Sequence, residues 1–101
     1  MPDYHFELYI AGDAHRSRSA VKILTALCEA HLYGRYQLQV INVLLEPERA
    51  EGAKILATPT LLRLVPEPSV RIIGDLTLTS RVLSGLGLLA PRESTGPRGA
   101  T

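Results

Sequence analysis

The chain opens on an alternation. Over residues 5–11, Phe6, Leu8 and Ile10 fall on one face and His5, Glu7 and Tyr9 on the other, until Gly12-Asp13 breaks the run. That pattern predicts a strand followed by a turn. The period then changes: Ala20, Val21, Leu24, Leu27, Cys28, His31 and Leu32 recur at the three-to-four spacing of a buried helical stripe. Ser17 and Ser19 offer N-cap hydroxyls ahead of it, and Gly34 suits its stop. Residues 36–45 hold Leu38, Val40, Ile41, Val43 and Leu44 without strict alternation, which predicts a central strand covered on both faces. Strand, helical crossover and strand favour parallel pairing.

Pro47 suits the first position of a short helix through about Ala53, because its fixed φ fits there and its missing N–H would go unpaired anyway. Gly52 weakens the end of that helix. Residues 60–65 read as a strand, Pro66-Glu67-Pro68-Ser69 as a turn and residues 70–73 as another strand, together an antiparallel hairpin. Pro66 and Pro68 keep the turn from extending the ladder. Thr77 or Thr79 can cap a last helix with Val82, Leu83, Leu86 and Leu89 on one face, although Gly85 and Gly87 each cost it about 1 kcal/mol relative to alanine. From Pro91 onward the composition turns to Pro, Gly, Ser, Thr, Arg and Glu with no apolar period. The expected organisation is one α/β domain over residues 1–90 and a disordered tail over 91–101. No internal repeat is visible.

Composition narrows the function classes. A chain of 101 residues buries roughly 60–65% of the surface its unfolded form exposes, enough for a single core. With four tyrosines, one phenylalanine and no tryptophan, that core is aliphatic. Eleven basic residues against ten acidic ones argue against affinity built on many phosphates, so nucleic acid is not expected. A lone cysteine, Cys28, makes no internal disulfide and is insufficient for a structural zinc site. No cationic start with an apolar run follows Met1, and no apolar stretch approaches the ~18–20 residues that cross a bilayer. The expectation is a soluble cytoplasmic protein with no cofactor.

The order β-α-β-α-β-β-α is that of the thioredoxin-like fold. Ala57-Thr58-Pro59-Thr60, a proline entering a strand after a helix, resembles the place where that fold carries a cis-proline beside its active site. Thioredoxins keep their redox cysteines in the loop after the first strand, where this chain has Asp13-Ala14-His15-Arg16. A fold signature without its chemistry predicts binding rather than catalysis.

Five blocks carry a closer resemblance. Leu8-Tyr9-Ile10-Ala11-Gly12, Tyr36 with Val40-Ile41-Asn42-Val43-Leu44, Lys54-Ile55-Leu56-Ala57-Thr58-Pro59-Thr60-Leu61, Ile72-Ile73-Gly74-Asp75-Leu76 and Val82-Leu83 resemble, in order and spacing, the KaiB family of bacterial clock proteins. They cover about residues 4–89. The resemblance implies a metamorphic chain. One state is a homo-oligomer with its own α/β fold, and the other is a monomer with the thioredoxin-like fold, the two differing in the second half. The thioredoxin-like state binds the ring of the ATPase KaiC, captures KaiA and competes with the N-terminal domain of the histidine kinase SasA. Two packings within a few kcal/mol are physically allowed.

Carried over residue by residue, the resemblance implies partner contacts at Tyr4, Tyr9, Lys22, Lys54, Arg63, Arg71 and Asp75. Pro59, Pro66, Pro68, Gly85 and Gly87 bear on fold switching. There are departures: Gln39 and Leu45 stand where the family usually has lysine, Ser19 where arginine is common, and Leu78-Thr79 where a more polar pair is common. Gly87 replaces a charged residue. These mark a divergent paralogue, and leave a thioredoxin-like sensor or adaptor in a kinase or stress pathway as the alternative.

Each of these residues also has a plainer reading. On pattern alone Pro59 is an ordinary trans-proline at the start of an edge strand, since cis occupies only about 5–6% of X–Pro bonds; the resemblance implies cis in the switched state. Lys22, Lys54, Arg63 and Arg71 form either a basic contact surface or scattered solvated charge. Asp13, His15 and His31 match no metal-ligand spacing. Cys28 lies on the helical stripe as a small buried apolar residue, against the third possibility of thiol chemistry. No nucleophile with a base, paired carboxylates or phosphate loop is visible, so an enzyme is not expected.

Overall fold

The computed structural model describes residues 3–74 and Val82. Six elements follow in the order β1 (Tyr4–Ile10), α1 (His15–Leu32), β2 (Tyr36–Asn42), α2 (Pro47–Gly52), β3 (Thr60–Val65) and β4 (Val70–Ile73). They build a four-stranded sheet in the order β2-β1-β3-β4. The crossover through α1 makes β1 and β2 parallel, with Tyr4 opposite Tyr36 and Ile10 opposite Asn42. β3 runs antiparallel to β1, and β3 and β4 form the expected hairpin, with Leu61 opposite Ile72.

The strand alternation sorts two cores onto the two faces of the sheet. Phe6, Leu8 and Leu61 meet Ala20, Leu24, Cys28 and Leu32 of α1, and Val82 joins them. Tyr9, Ile41 and Leu62 gather on the other face with Val43, Ala53, Ile55 and Leu64 against them. The face of β1 that carries His5, Glu7 and Tyr9 is therefore covered too: Tyr9 is only 2% exposed. The last helix, its glycines Gly85 and Gly87, Asp75 and the tail from Pro91 lie outside the described residues, apart from the buried, helical Val82.

Four expectations are corrected. Among the described residues β2 is an edge strand, not a central one: it pairs with β1 alone, and Val40 is 41% exposed. It also ends early: the Val43 amide still donates to the Ile10 carbonyl at 2.8 Å, but the Asn42 side chain accepts hydrogen bonds from the amides of Leu44 and Gly12, both at 3.0 Å, and residues 44–45 turn away. Neither serine caps α1. Its N-cap is Ala14, without a side-chain bond, and Ser17 points inward, where its hydroxyl donates to the Ala11 carbonyl at 3.3 Å. His31 lies off the buried stripe, exposed. The Thr58–Pro59 peptide is cis, against the trans form that pattern alone favours and as the resemblance implies for the thioredoxin-like state; Val65–Pro66 and Glu67–Pro68 are cis as well. Gly34 stops α1 as expected, at φ +75°.

Candidate functional site

The end of the sheet where β1 runs into α1 and α2 runs into β3 brings together the blocks singled out in the sequence. Gly12 turns the β1–α1 loop at φ +67°, a conformation that favours glycine, and a Cβ there would lie 3.1 Å from Leu44 Cδ1, a tight contact from which the leucine would have to draw back. Asn42 ties this loop to the turn before α2. Pro59 is buried, its carbonyl accepts from the Gly74 amide at 3.0 Å, and the Thr60 hydroxyl donates to the Ala57 carbonyl at 2.6 Å. Leu44, Leu45 and Leu56 stand out on this side at 68%, 78% and 94% exposure. Leu56 also lines an open depression of about 330 Å³, with Val43, Pro47, Ala50, Ile55, Ala57 and Thr58. Large exposed apolar side chains at one end of the sheet, one of them on the wall of a hollow, suit a protein partner.

Lys54 stands at the edge of this region in a demanding conformation. α2 ends in a complete Schellman motif. The Ile55 amide donates to the Ala50 carbonyl at 2.9 Å and the Lys54 amide to the Glu51 carbonyl at 3.1 Å. Lys54 occupies the left-handed position at φ +57°, where glycine is usual. Among the described residues its ammonium has no partner. A non-glycine residue held in that region without a structural return for its side chain points to function.

The structure separates the other candidates. Arg71 joins Lys54: its guanidinium donates to the carbonyls of Ala53 at 2.8 Å and Lys54 at 3.2 Å, and both residues line a second depression of about 390 Å³ with Glu7 and Leu62. Lys22 is exposed on α1, on the opposite face of the sheet, beside a hollow of about 290 Å³ that includes Ile10 and Asp13. Tyr4 is half-buried, stacked on Phe6 with ring centroids 6.0 Å apart, and the Arg35 guanidinium lies 6.0 Å from its ring. Tyr9 and Arg63 are interior. The Tyr9 hydroxyl donates to Glu7 Oε1 at 2.8 Å, and its pKa is raised by burial and then by that carboxylate. Arg63 is 9% exposed and donates to the Pro68 carbonyl at 2.9 Å. In this conformation both support the surface rather than form it. Pro66 and Pro68 bound the exposed β3–β4 turn, and Asp75 lies outside the described residues.

Cys28 sits in the core at 1% exposure, its pKa pushed up to about 11 by desolvation and then by Glu29, which leaves little thiolate at neutral pH. The loop after β1 carries no cysteine. Asp13 pairs with Arg18 at 3.5 Å. The sequence reading missed Asn42 and the pair Glu7 and Arg49, which meet at 3.1 Å although 42 positions apart. An asparagine ending an apolar run before a turn was the available signal for the first; nothing local signals the second.

The KaiB domain model matches residues 7–88. This chain belongs to the KaiB family. The circadian clock oscillator protein KaiB of Synechococcus sp. strain RCC307 is 50% identical over 86 residues, covering 85% of this chain and 78% of that protein. The protein of the same description from Nostoc punctiforme is 47% identical over 93 residues, covering 92% and 89%. Among solved structures, the N-terminal domain of Synechococcus elongatus SasA superposes with a TM-score of 0.70 at 20% identity, over 100% of this chain and 91% of that domain. Yeast mitochondrial thioredoxin 3 gives 0.66 at 20% identity over 83% and 79%. This KaiB-family chain thus has the thioredoxin-like fold. Among the described residues no helix is long and apolar enough to cross a membrane.

Proposed function

We propose that this KaiB-family chain is a non-catalytic clock regulator that docks on the ring of a KaiC-type ATPase and alters its phosphorylation and ATPase cycle. KaiA and a SasA-like histidine kinase are its further partners. The observation that carries the reading is the match to the KaiB domain over residues 7–88 together with half identity to proteins described as clock oscillator components. The exposed leucines and the strained Lys54, which has no partner among the described residues, support it, with the contact surface formed by Lys54, Arg71, Leu44, Leu45 and Leu56. Tyr4, Lys22 and Asp75 extend that surface, and Tyr9 and Arg63 hold it in place. When free, the domain of residues 1–90 also populates a second fold as a homodimer or homotetramer, with Pro59, Pro66, Pro68, Gly85 and Gly87 governing the balance. A competent state that is only fractionally populated lowers apparent affinity and delays binding, which makes a timing device.

The test is fluorescence anisotropy of the labelled chain titrated with a KaiC-type hexamer, for wild type, Lys54→Ala and a far-face control, His31→Ala. Saturable binding that Lys54→Ala weakens and His31→Ala does not supports the reading; no binding by any of the three rejects it. A second reading, a sensor or adaptor held permanently in the thioredoxin-like fold, is favoured by the superposition of the whole chain on the SasA N-terminal domain. It predicts a monomer with one set of backbone resonances at all concentrations and no ring binding.

A further inference from the structure

Helix α2 is fastened to the sheet by polar side chains. It is six residues long and none of them is buried. A helix that short does not hold itself together in water. The apolar residues that anchor this region flank the helix: Val43 before it, Ala53 and Ile55 after it. Two arginines fasten the helix itself. From its middle, Arg49 Nη2 donates to Glu7 Oε2 on β1 at 3.1 Å and to Gln39 Oε1 on β2 at 3.4 Å, while Nη1 reaches Glu46 Oε1 at 3.4 Å. The other Glu7 oxygen takes the Tyr9 hydroxyl, so the carboxylate is held in place before the arginine arrives. From β4, Arg71 grips the carbonyls of Ala53 and Lys54 at the other end, where a cation also favours the helix dipole.

Such bonds exchange for bonds to water at small net cost, whereas the apolar contacts of the sheet do not. Opening α2 is therefore cheaper than unfolding the sheet, the condition for a separate cooperative unit. We propose that α2 is a latch, clasped to the sheet by Glu7 with Arg49 and by Arg71, that opens while β1, β3 and α1 stay folded and frees the Glu7 carboxylate. The device belongs to the chain itself and holds whether or not a KaiC-type ring is its partner.

Native-state amide hydrogen exchange on the full chain, read residue by residue with and without low urea, tests this. The reporters are the amides of Ala50, Ala53 and Ile55, bonded to the carbonyls of Glu46, Arg49 and Ala50. In wild type they exchange faster than the amides of β1 and β3 and respond little to urea, while the sheet amides respond steeply. Glu7→Gln speeds the α2 amides roughly tenfold, the scale of one lost charge-assisted hydrogen bond. Glu7→Gln combined with Arg49→Met is no faster than Arg49→Met alone, because one clasp is lost once. Arg35→Gln, which breaks the exposed pair with Asp3 at 2.8 Å, leaves the α2 rates unchanged. If the substituted chains do not fold, raising salt on the wild type speeds the α2 amides selectively. The proposal is overturned if α2 shares the rates and urea slope of the sheet, or if neither Glu7→Gln nor salt changes its exchange.

Discussion

Replacing Lys54 by glycine separates the backbone of the site from its charge. A left-handed conformation costs an ordinary L-residue about 1–2 kcal/mol, and Lys54 adopts it at φ +57° with no described partner for its ammonium. Glycine removes that cost but returns about 0.5–1 kcal/mol through the greater freedom of the unfolded chain. Lys54→Gly is thus expected to stabilise the domain by about 0.5–1 kcal/mol, which for a domain of this size raises Tm by roughly 2–8 °C. Lys54→Ala keeps the Cβ and the strain and changes stability by less than about 0.5 kcal/mol. Urea melts and calorimetry read both. If the ammonium serves a partner, the two variants weaken ring docking alike, by about tenfold, although one is more stable than wild type and the other is not. A Lys54→Gly chain less stable than wild type would refute the strain argument. An equal gain from Lys54→Ala would trace the effect to charge instead of backbone.

Other substitutions probe the same end of the sheet and the core. Asn42→Ala leaves the Gly12 and Leu44 amides without their acceptor and is expected to cost about 1–3 kcal/mol in a urea melt, while Asn42→Asp, which keeps the acceptor oxygen, costs less. Gly12→Ala meets both an unfavourable φ of +67° and the Leu44 methyl at 3.1 Å, and is expected to lose about 1–2 kcal/mol or more; shortening Leu44 in the same chain relieves the contact but not the backbone. Cys28 has a pKa raised from 9.0 to about 11, so above pH 9 the unfolded chain loses this proton first. Its contribution to stability is complete below pH 9 and falls away between about pH 9 and 11; Cys28→Ala makes the slope shallower in pH-dependent melts and leaves the part due to Tyr9 and Tyr36, whose pKa values are also raised.

Much of the fold was legible because local chemistry agreed with tertiary structure. The period of α1, the proline at the start of α2 and the hairpin bounded by Pro66 and Pro68 are each decided within a few residues, and the hairpin strands fall at 60–65 and 70–73 as expected. β2 was misread because an apolar run does not say how many neighbours a strand has; pairing with β1 alone leaves it at the edge. Ser17 and Ser19 were misread as caps because α1 starts ahead of both, at His15, which places Ser17 in the first turn with its hydroxyl bonded to Ala11. At the site, sequence blocks pointed to residues 54–60, yet the burial of Tyr9 and Arg63 depends on strand alternation and on what covers each face. The Glu7 to Arg49 pair joins β1 to α2 across the sheet, and only the folded chain brings them together.

The central claim is docking on an ATPase ring, and size exclusion with light scattering tests it most directly. The purified chain is run alone, then after incubation for hours with a KaiC-type hexamer. The expected result is a free dimer or tetramer that is drawn slowly into a complex co-migrating with the ring. A free monomer that never joins the ring at any time would contradict it.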